Sequence, residues 1–577
     1  MAVTQMNTGP DIDANAGGLR TDEQRERWRL FGLSSPALLI VMVILVIPTG
    51  WLFYISFVGA NGSFSMENYA RMLERKSYAR IFQTTFQVSL ITTGLCILIG
   101  YPLAYFMSQL PVKWANLCLV TVLLPFWTSL LVRTYAWLVL LQRQGLINEW
   151  GMGMGLWEEP LKLVHNMNGT LIGMVHIMLP FLILPTYGAM RAIDRDYLKA
   201  AANLGASPAR AFWTVFLPLS TPGLFAGALM VFILCLGFFV TPAILGGGTV
   251  ILVSMQIVSN IELFVNWGAA SALGGGASGA DPDGAVGGLA LRAAGTDDGR
   301  RPLMIGWLRS PASETQVTHG QRLWLYVTSG ITMILLVLPT LIVIPMSFSD
   351  SQYLEFPPET WSLRWYKSYF ASDEWMRATA TSLKAATLTM LVATPIGVLA
   401  AYGLHASKVP FIRIAFVLLI TPMMVPLVLI AIGAFYVYVR LQILYTMTGL
   451  VLAHSLLAIP LVVIVTGSAL KTYDMNLENA ARSLGAPRWK AFMTITLPQI
   501  RFAVVISALL AFLTSFDEVV IAMFISGGDN PTLTRNMFNA LRDQIDPTIA
   551  SISTLMIGLT TLLMVIAVLA GRNKQGT

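Results

Sequence analysis

The sequence predicts an all-α, polytopic membrane protein built from two similar helical bundles. Three observations carry this: the chain is apolar and poor in charge, runs of bilayer length recur along it, and one stretch occurs twice in the same direction. Of 577 residues, 55 % are hydrophobic and only 12 % charged, with a mean hydropathy of +0.67. A soluble domain carries about twice that charged fraction. A helical span needs about 20 apolar residues. The run from Pro36 to Pro48 does not alternate in polarity, so it reads as helix rather than as a strand of a membrane barrel.

Apolar spans fall near 36–57, 86–110, 116–142, 170–190 and 213–245, and again near 322–347, 380–404, 411–438, 447–468, 497–525 and 549–570. Several contain proline, among them Pro102, Pro125, Pro180, Pro395 and Pro422. Lipid-embedded helices tolerate such breaks where neighbours re-satisfy the freed carbonyls. The net charge of +7 is read as basic residues flanking spans on the cytoplasmic side, not as a nucleic-acid partner. Cys96, Cys118 and Cys235 all lie in apolar runs, and their odd number indicates no disulfide framework. The first 30 residues are polar, and the first apolar run reads as a retained span rather than a signal peptide.

Arg20, Arg25, Arg27 and Arg29 precede the first span. Loop 190–212 carries Arg191, Arg195, Lys199 and Arg210, loop 469–493 carries Lys471, Arg482, Arg488 and Lys490, and the tail carries Arg572 and Lys574. By the positive-inside rule all four are cytoplasmic, and so are both termini.

The two loops are copies lying 280 residues apart. Asp194 to Ala206 matches Asp474 to Ala486, Ala211-Phe212 matches Ala491-Phe492, and Leu217-Pro218 matches Leu497-Pro498. Gly205 precedes Pro218 by 13 residues, as Gly485 precedes Pro498. The pattern reads as a short helix of small residues over Leu198 to Asn203, ended by Gly205 in a left-handed cap. A second helix starts at Ser207-Pro208, and Leu217-Pro218 opens the next span. The product is a rigid helix–turn–helix knob, present twice on the cytoplasmic side. Both copies share one orientation, whereas the inverted repeats of many ion-coupled transporters put the copies on opposite sides.

These loops resemble the "EAA" coupling loop of ABC importer permeases, in Lys199, Ala200, Ala201, Gly205 and Pro218 of the first half and Asn479, Ala480, Ala481, Gly485 and Pro498 of the second. The resemblance implies two type I ABC-importer-like bundles that form a central pathway with alternating access. It implies two ABC ATPase subunits as partners, each docked on one knob, and a periplasmic substrate-binding protein, in the bacterial inner (plasma) membrane. The motif's glutamate is Lys199 in one half and Asn479 in the other, and the adjacent Glu478 is expected to substitute for it. The chain contains no Gly-x-x-x-x-Gly-Lys-[Ser/Thr] phosphate loop. ATP and Mg therefore belong to the partner ATPases, and no cofactor, metal site or catalytic residue is expected in this permease chain.

The resemblance narrows to the spermidine/putrescine-type permease pair, here joined in one chain. The first half carries Phe126-Trp127-Thr128, Arg133-Thr-Tyr135-Ala-Trp137 and Gly237 to Gly246; the second carries Ser515-Phe-Asp517-Glu518 and Phe524 to Gly527. Charge at mid-bilayer costs about 2.5–3.5 kcal/mol on insertion scales, so such residues face a cavity or a partner. An Asp517–Glu518 pair on the pathway suits a polyamine cation, and Trp127, Tyr135 and Trp137 suit cation–π contact with alkylammonium groups. Interfacial solvation for the acids, and helix packing for each aromatic taken singly, are the competing readings. Arg133 is read as a partner of carbonyls or of an acid, and His176 and His454 as helix-packing donors. A permease for ferric ion, thiamine or a phosphonate stays open. An ion-coupled secondary transporter is disfavoured by the direct repeat, and a membrane enzyme by the lack of any catalytic cluster.

The division expected is a cytoplasmic tail 1–30, a first permease domain 31–273, a segment 274–303 and a second permease domain 304–577. About 11 spans are visible where the family has 12. The sixth span of the first half is due after Leu273, but 15 of the 28 residues from 274 to 301 are Gly or Ala, and none of that stretch can cross a bilayer. It reads as a flexible linker or as frameshifted text. With five spans, residue 274 is expected outside, yet the second half must begin inside.

Overall fold

A computed structural model describes residues 11–59, 61–262, 267–278, 320–352, 356–543 and 546–572. In lipid every backbone polar group must be satisfied within the segment, and helices achieve this. The first half comprises α1 (Asp11–Gly32), the first span α2 (Ser35–Ser56), α3 (Lys76–Gln109), α4 (Val112–Trp127), α5 (Leu130–Leu140) and α6 (Met167–Ala192). It continues with α7 (Asp196–Asn203), α8 (Pro208–Leu236), α9 (Val240–Leu245), α10 (Val253–Glu262) and α11 (Trp267–Ser278). The second half comprises α12 (Leu323–Met346), α13 (Asp373–Ser407), α14 (Ile412–Ile420), α15 (Leu427–Leu441) and α16 (Met447–Thr472). It ends with α17 (Asn476–Ser483), α18 (Arg488–Phe516), α19 (Val520–Ile525), α20 (Leu533–Asp543) and α21 (Thr548–Arg572). From α6 to α9 and from α16 to α19 each helix boundary recurs 280 residues on, so the sequence repeat is a structural repeat.

Among the described residues nine helices are long and apolar enough to cross a membrane, and two further pairs are bent, α4–α5 by 87° and α14–α15 by 96°. The expected spans 116–142 and 411–438 are these broken pairs. Thr128 and Ser129 are extended between α4 and α5. In the second half Pro426 forces the break, because the residue before proline is driven out of the helical region. The spans expected at 213–245 and 497–525 also break, at Gly237–Phe239 and Asp517–Val519, leaving the six-residue helices α9 and α19.

Leu-Pro does not open a span, contrary to expectation. α8 runs unbroken from Pro208, with a π-helical turn at Phe212–Phe216 just before Leu217-Pro218. Phe492–Thr496 is the same turn before Leu497-Pro498, and Met42–Val46 precedes Ile47-Pro48 in α2. Leu217 N–H reaches back to the Phe212 carbonyl, and Leu497 to that of Phe492. The wide turn gives the proline ring room where a tight helix would drive it into the preceding carbonyl.

The first span of each half packs on the other half. Val41, Ile44 and Leu45 of α2 share one core with Ala401 of α13 and Val428 of α15. Leu336 of α12 is buried in the core built by α3, α6 and α8. Lipid gives no hydrophobic drive between helices, so close backbone approach supplies the attraction. A Cβ on Gly433 of α15 would stand 2.9 Å from Pro48 Cβ, and one on Gly403 of α13 would stand 2.5 Å from the Leu30 carbonyl.

α11 occupies the place of α21 and has 12 residues against 25. It is about 18 Å long, short of a bilayer core of about 30 Å. Gly274, at the end expected to lie outside, is buried against Leu429 of α15, beside the buried Leu273. The Gly/Ala-rich segment beyond Ser278 lies outside the described residues.

Candidate functional site

The two knobs have the geometry the repeat predicts. Gly205 has φ +82 and Gly485 φ +91, the left-handed region that a Cβ disfavours. Ser207 caps the following helix, its Oγ accepting from Arg210 N at 3.3 Å. Lys199, Ala200, Asn479 and Ala480 are exposed, and Ala201 and Ala481 half-buried. Leu204 and Leu484, next to the glycines, are 89 % and 90 % exposed, and Tyr197, Trp213 and Trp489 join them at the surface. An apolar crown on each knob is unstable in water without a partner surface.

The knobs differ beneath. In the first half the Tyr105 ring packs on Phe212 and Phe216, at 5.3 and 5.0 Å. In the second, Tyr402 lies 4.6 Å from Phe492, and its hydroxyl donates to Glu478 Oε1 at 2.5 Å. Thr496 Oγ1 donates to Glu478 Oε2 at 2.5 Å, and Arg488 Nε stands 3.5 Å from Oε1. Glu478 is thus fully buried and cannot stand in for the missing surface glutamate. Its carboxylate is turned inward because only there are donors enough to satisfy it. Sequence reasoning missed Tyr402 and Thr496, which no local pattern marks.

The four breaks meet pairwise between the halves. Asp517, at the break after α18, accepts from Leu130 N at 3.1 Å through Oδ2 and so caps the start of α5 in the first half. Its counterpart Gly237 lies against Pro426, where a Cβ would be 2.7 Å from the Pro426 ring. Phe239 and Phe538 meet beside them at 5.8 Å. Asp517 Oδ1 is buried and accepts no hydrogen bond of standard geometry among the described residues, but the Ser129 side chain and the Arg133 guanidinium both act on the carboxylate.

The expected acidic pair is split. Glu518 Oε1 accepts from Ile521 N at 2.9 Å and so caps its own helix α19, a structural task. Trp127 ends α4 at the break and is half-buried. Tyr135 is fully buried, its hydroxyl without a partner among the described residues. The Trp137 ring meets His176 edge-on at 5.7 Å, a packing contact. Arg133 Nε donates to the Ser129 carbonyl at 3.4 Å, the kind of partner expected of it. His176 donates to the Leu336 carbonyl at 3.2 Å, tying α6 to α12, and His454 pairs with Ser515 at 2.7 Å.

The family described as binding-protein-dependent transport system inner membrane component matches residues 26–280 and 393–573. The spermidine/putrescine transport system permease protein PotB of Haemophilus influenzae is 36 % identical over 246 residues, covering 43 % of this chain and 84 % of that protein. PotB of Escherichia coli is 32 % identical over 212 residues, covering 36 % and 77 %. The putrescine transport system permease protein PotI of Escherichia coli is 33 % identical over 231 residues, covering 38 % and 80 %. A crystal structure of a bacterial alginate ABC transporter, in complex with alginate pentasaccharide-bound periplasmic protein, matches at 16 % identity and a TM-score of 0.36, over 44 % of this chain and 90 % of that one. With most of its length covered by two matches to one domain, the chain belongs to the multi-pass inner-membrane permeases of ABC importers.

Proposed function

We propose that this chain is the substrate-conducting part of an ATP-driven polyamine importer, with Asp517 as the group that receives the cation. It takes solute from a periplasmic binding protein and releases it to the cytoplasm, where two ATPases dock on the knobs and both chain termini lie. The single observation that carries the reading is the position of Asp517: an acidic side chain where the helix breaks of both halves meet, one oxygen holding the opposite half and the other making no hydrogen bond of standard geometry, with Ser129 and Arg133 beside it. A polyamine ammonium suits that oxygen as a charge-assisted partner. ATP and Mg are assigned to the partner subunits.

The test is uptake by proteoliposomes holding the full chain with its ATPase and binding protein. ATP-dependent accumulation of labelled spermidine or putrescine is expected. Accumulation of thiamine or ferric ion alone overturns the polyamine assignment, and accumulation independent of ATP overturns the importer.

A further inference from the structure

The N-terminal helix α1 is joined to the second knob by a carboxylate. Glu26 is shared between Arg482, at the end of α17, and Arg488, at the start of α18. Arg488 in turn donates through Nε to the Tyr402 hydroxyl at 3.2 Å, which donates to Glu478. The chain of contacts runs from the N-terminal helix, through both arms of the knob, to the span α13 beneath it. Glu26 and the two arginines are between 22 % and 37 % exposed, shielded enough to hold a fixed geometry yet not sealed in the core.

A second contact keeps α1 in place. Leu30, one turn on from Glu26, is 5 % exposed, and its carbonyl lies over Gly403, the neighbour of Tyr402. The first knob differs at each of these positions. At the positions corresponding to Arg482, Arg488, Glu478 and Thr496 it carries Ala202, Pro208, Leu198 and Phe216, and Phe106, in the place of Gly403, meets Tyr326 ring to ring at 5.7 Å.

We propose that Glu26 is a positioning residue for energy coupling, fixing the angle between α17 and α18 in the second knob. Both arms of a helix–turn–helix pivot at Gly485, and a carboxylate bridging one arginine from each arm braces that pivot from outside. The braced knob passes displacement directly to α13 and α18. The inference rests on reading the knobs as the ATPase-docking elements.

Two measurements on the full chain in nanodiscs and proteoliposomes test it, using Glu26→Gln, with Glu26→Asp as the conservative variant. Hydrogen exchange is expected to quicken up to about fivefold over 476–491 in E26Q, the scale of one partly exposed ion-pair cluster. It should be unchanged over 196–211 and nearer to the parent in E26D. With ATPase and binding protein present, E26Q should move less solute per ATP hydrolysed than the parent. Unchanged exchange, or equal quickening in both loops, overturns the brace; quickening confined to 476–491 with an unaltered solute-to-ATP ratio overturns its role in coupling. Failure of the importer reading would show instead as no ATP-driven uptake by the parent chain, a result to which the exchange measurement is indifferent.

Discussion

At the residue scale, the two adjacent acids separate. Asp517 keeps one oxygen without a hydrogen bond of standard geometry at the meeting of the halves, beside Ser129 and Arg133, while Glu518 Oε1 accepts from the N–H of Ile521. D517N retains an oxygen that can accept from Leu130 but loses the charge, so initial uptake should fall about tenfold, the scale of one charged hydrogen bond, with the amount of protein in the membrane unaltered. E518Q can still cap α19, and its uptake should stay within about twofold of the parent. Equal losses in both variants would restore the acidic pair as a unit. Backbone contact gives a second residue-scale expectation. Gly403→Ala sets a Cβ against the Leu30 carbonyl and should lower the thermal midpoint, with a cost of about 1–3 kcal/mol, whereas Gly330→Ala meets open space and should leave it alone. The acids were legible in sequence because charge is rare in spans. Their division of labour was not, because the partner of Asp517 lies 387 residues away.

At the element scale, the knob was readable almost whole, since its glycine, serine and proline act through their own backbone within a few residues. What escaped was the wide turn before Leu-Pro, which sequence reads as a boundary and the fold uses as a joint inside one helix. Pro498→Ala restores the missing N–H and lets the π turn at Phe492–Thr496 relax to α-helix. Removing one residue from a turn rotates the knob about 100° against the span. Uptake driven by ATP should then drop to a small fraction while the chain still inserts, measured as uptake beside membrane content; full uptake would mean that the turn carries no register. Broken spans were likewise invisible as breaks: Thr128-Ser129 and Asp517-Glu518 sit in long apolar runs, and only packing against the opposite half distinguishes a bend from a continuous helix.

At the scale of the whole molecule, the repeat gave away two bundles, but not how they interlock. Each first span lies on the opposite bundle, a contact between residues hundreds apart with no local signature. It follows that a chain divided into 1–278 and 304–577 and co-expressed should co-purify through α2 and α12; separation in mild detergent would show that the linking segment, not the exchanged spans, joins the halves.

The exchanged first span also sets an order of events at the ribosome. α2 is made before its packing surface on α13 and α15, which is complete only after residue 441. At about 5–20 residues per second the delay is roughly 20–80 s. Through that interval the first span stays in lipid without its neighbours, and assembly closes only when late translation brings the second bundle to it.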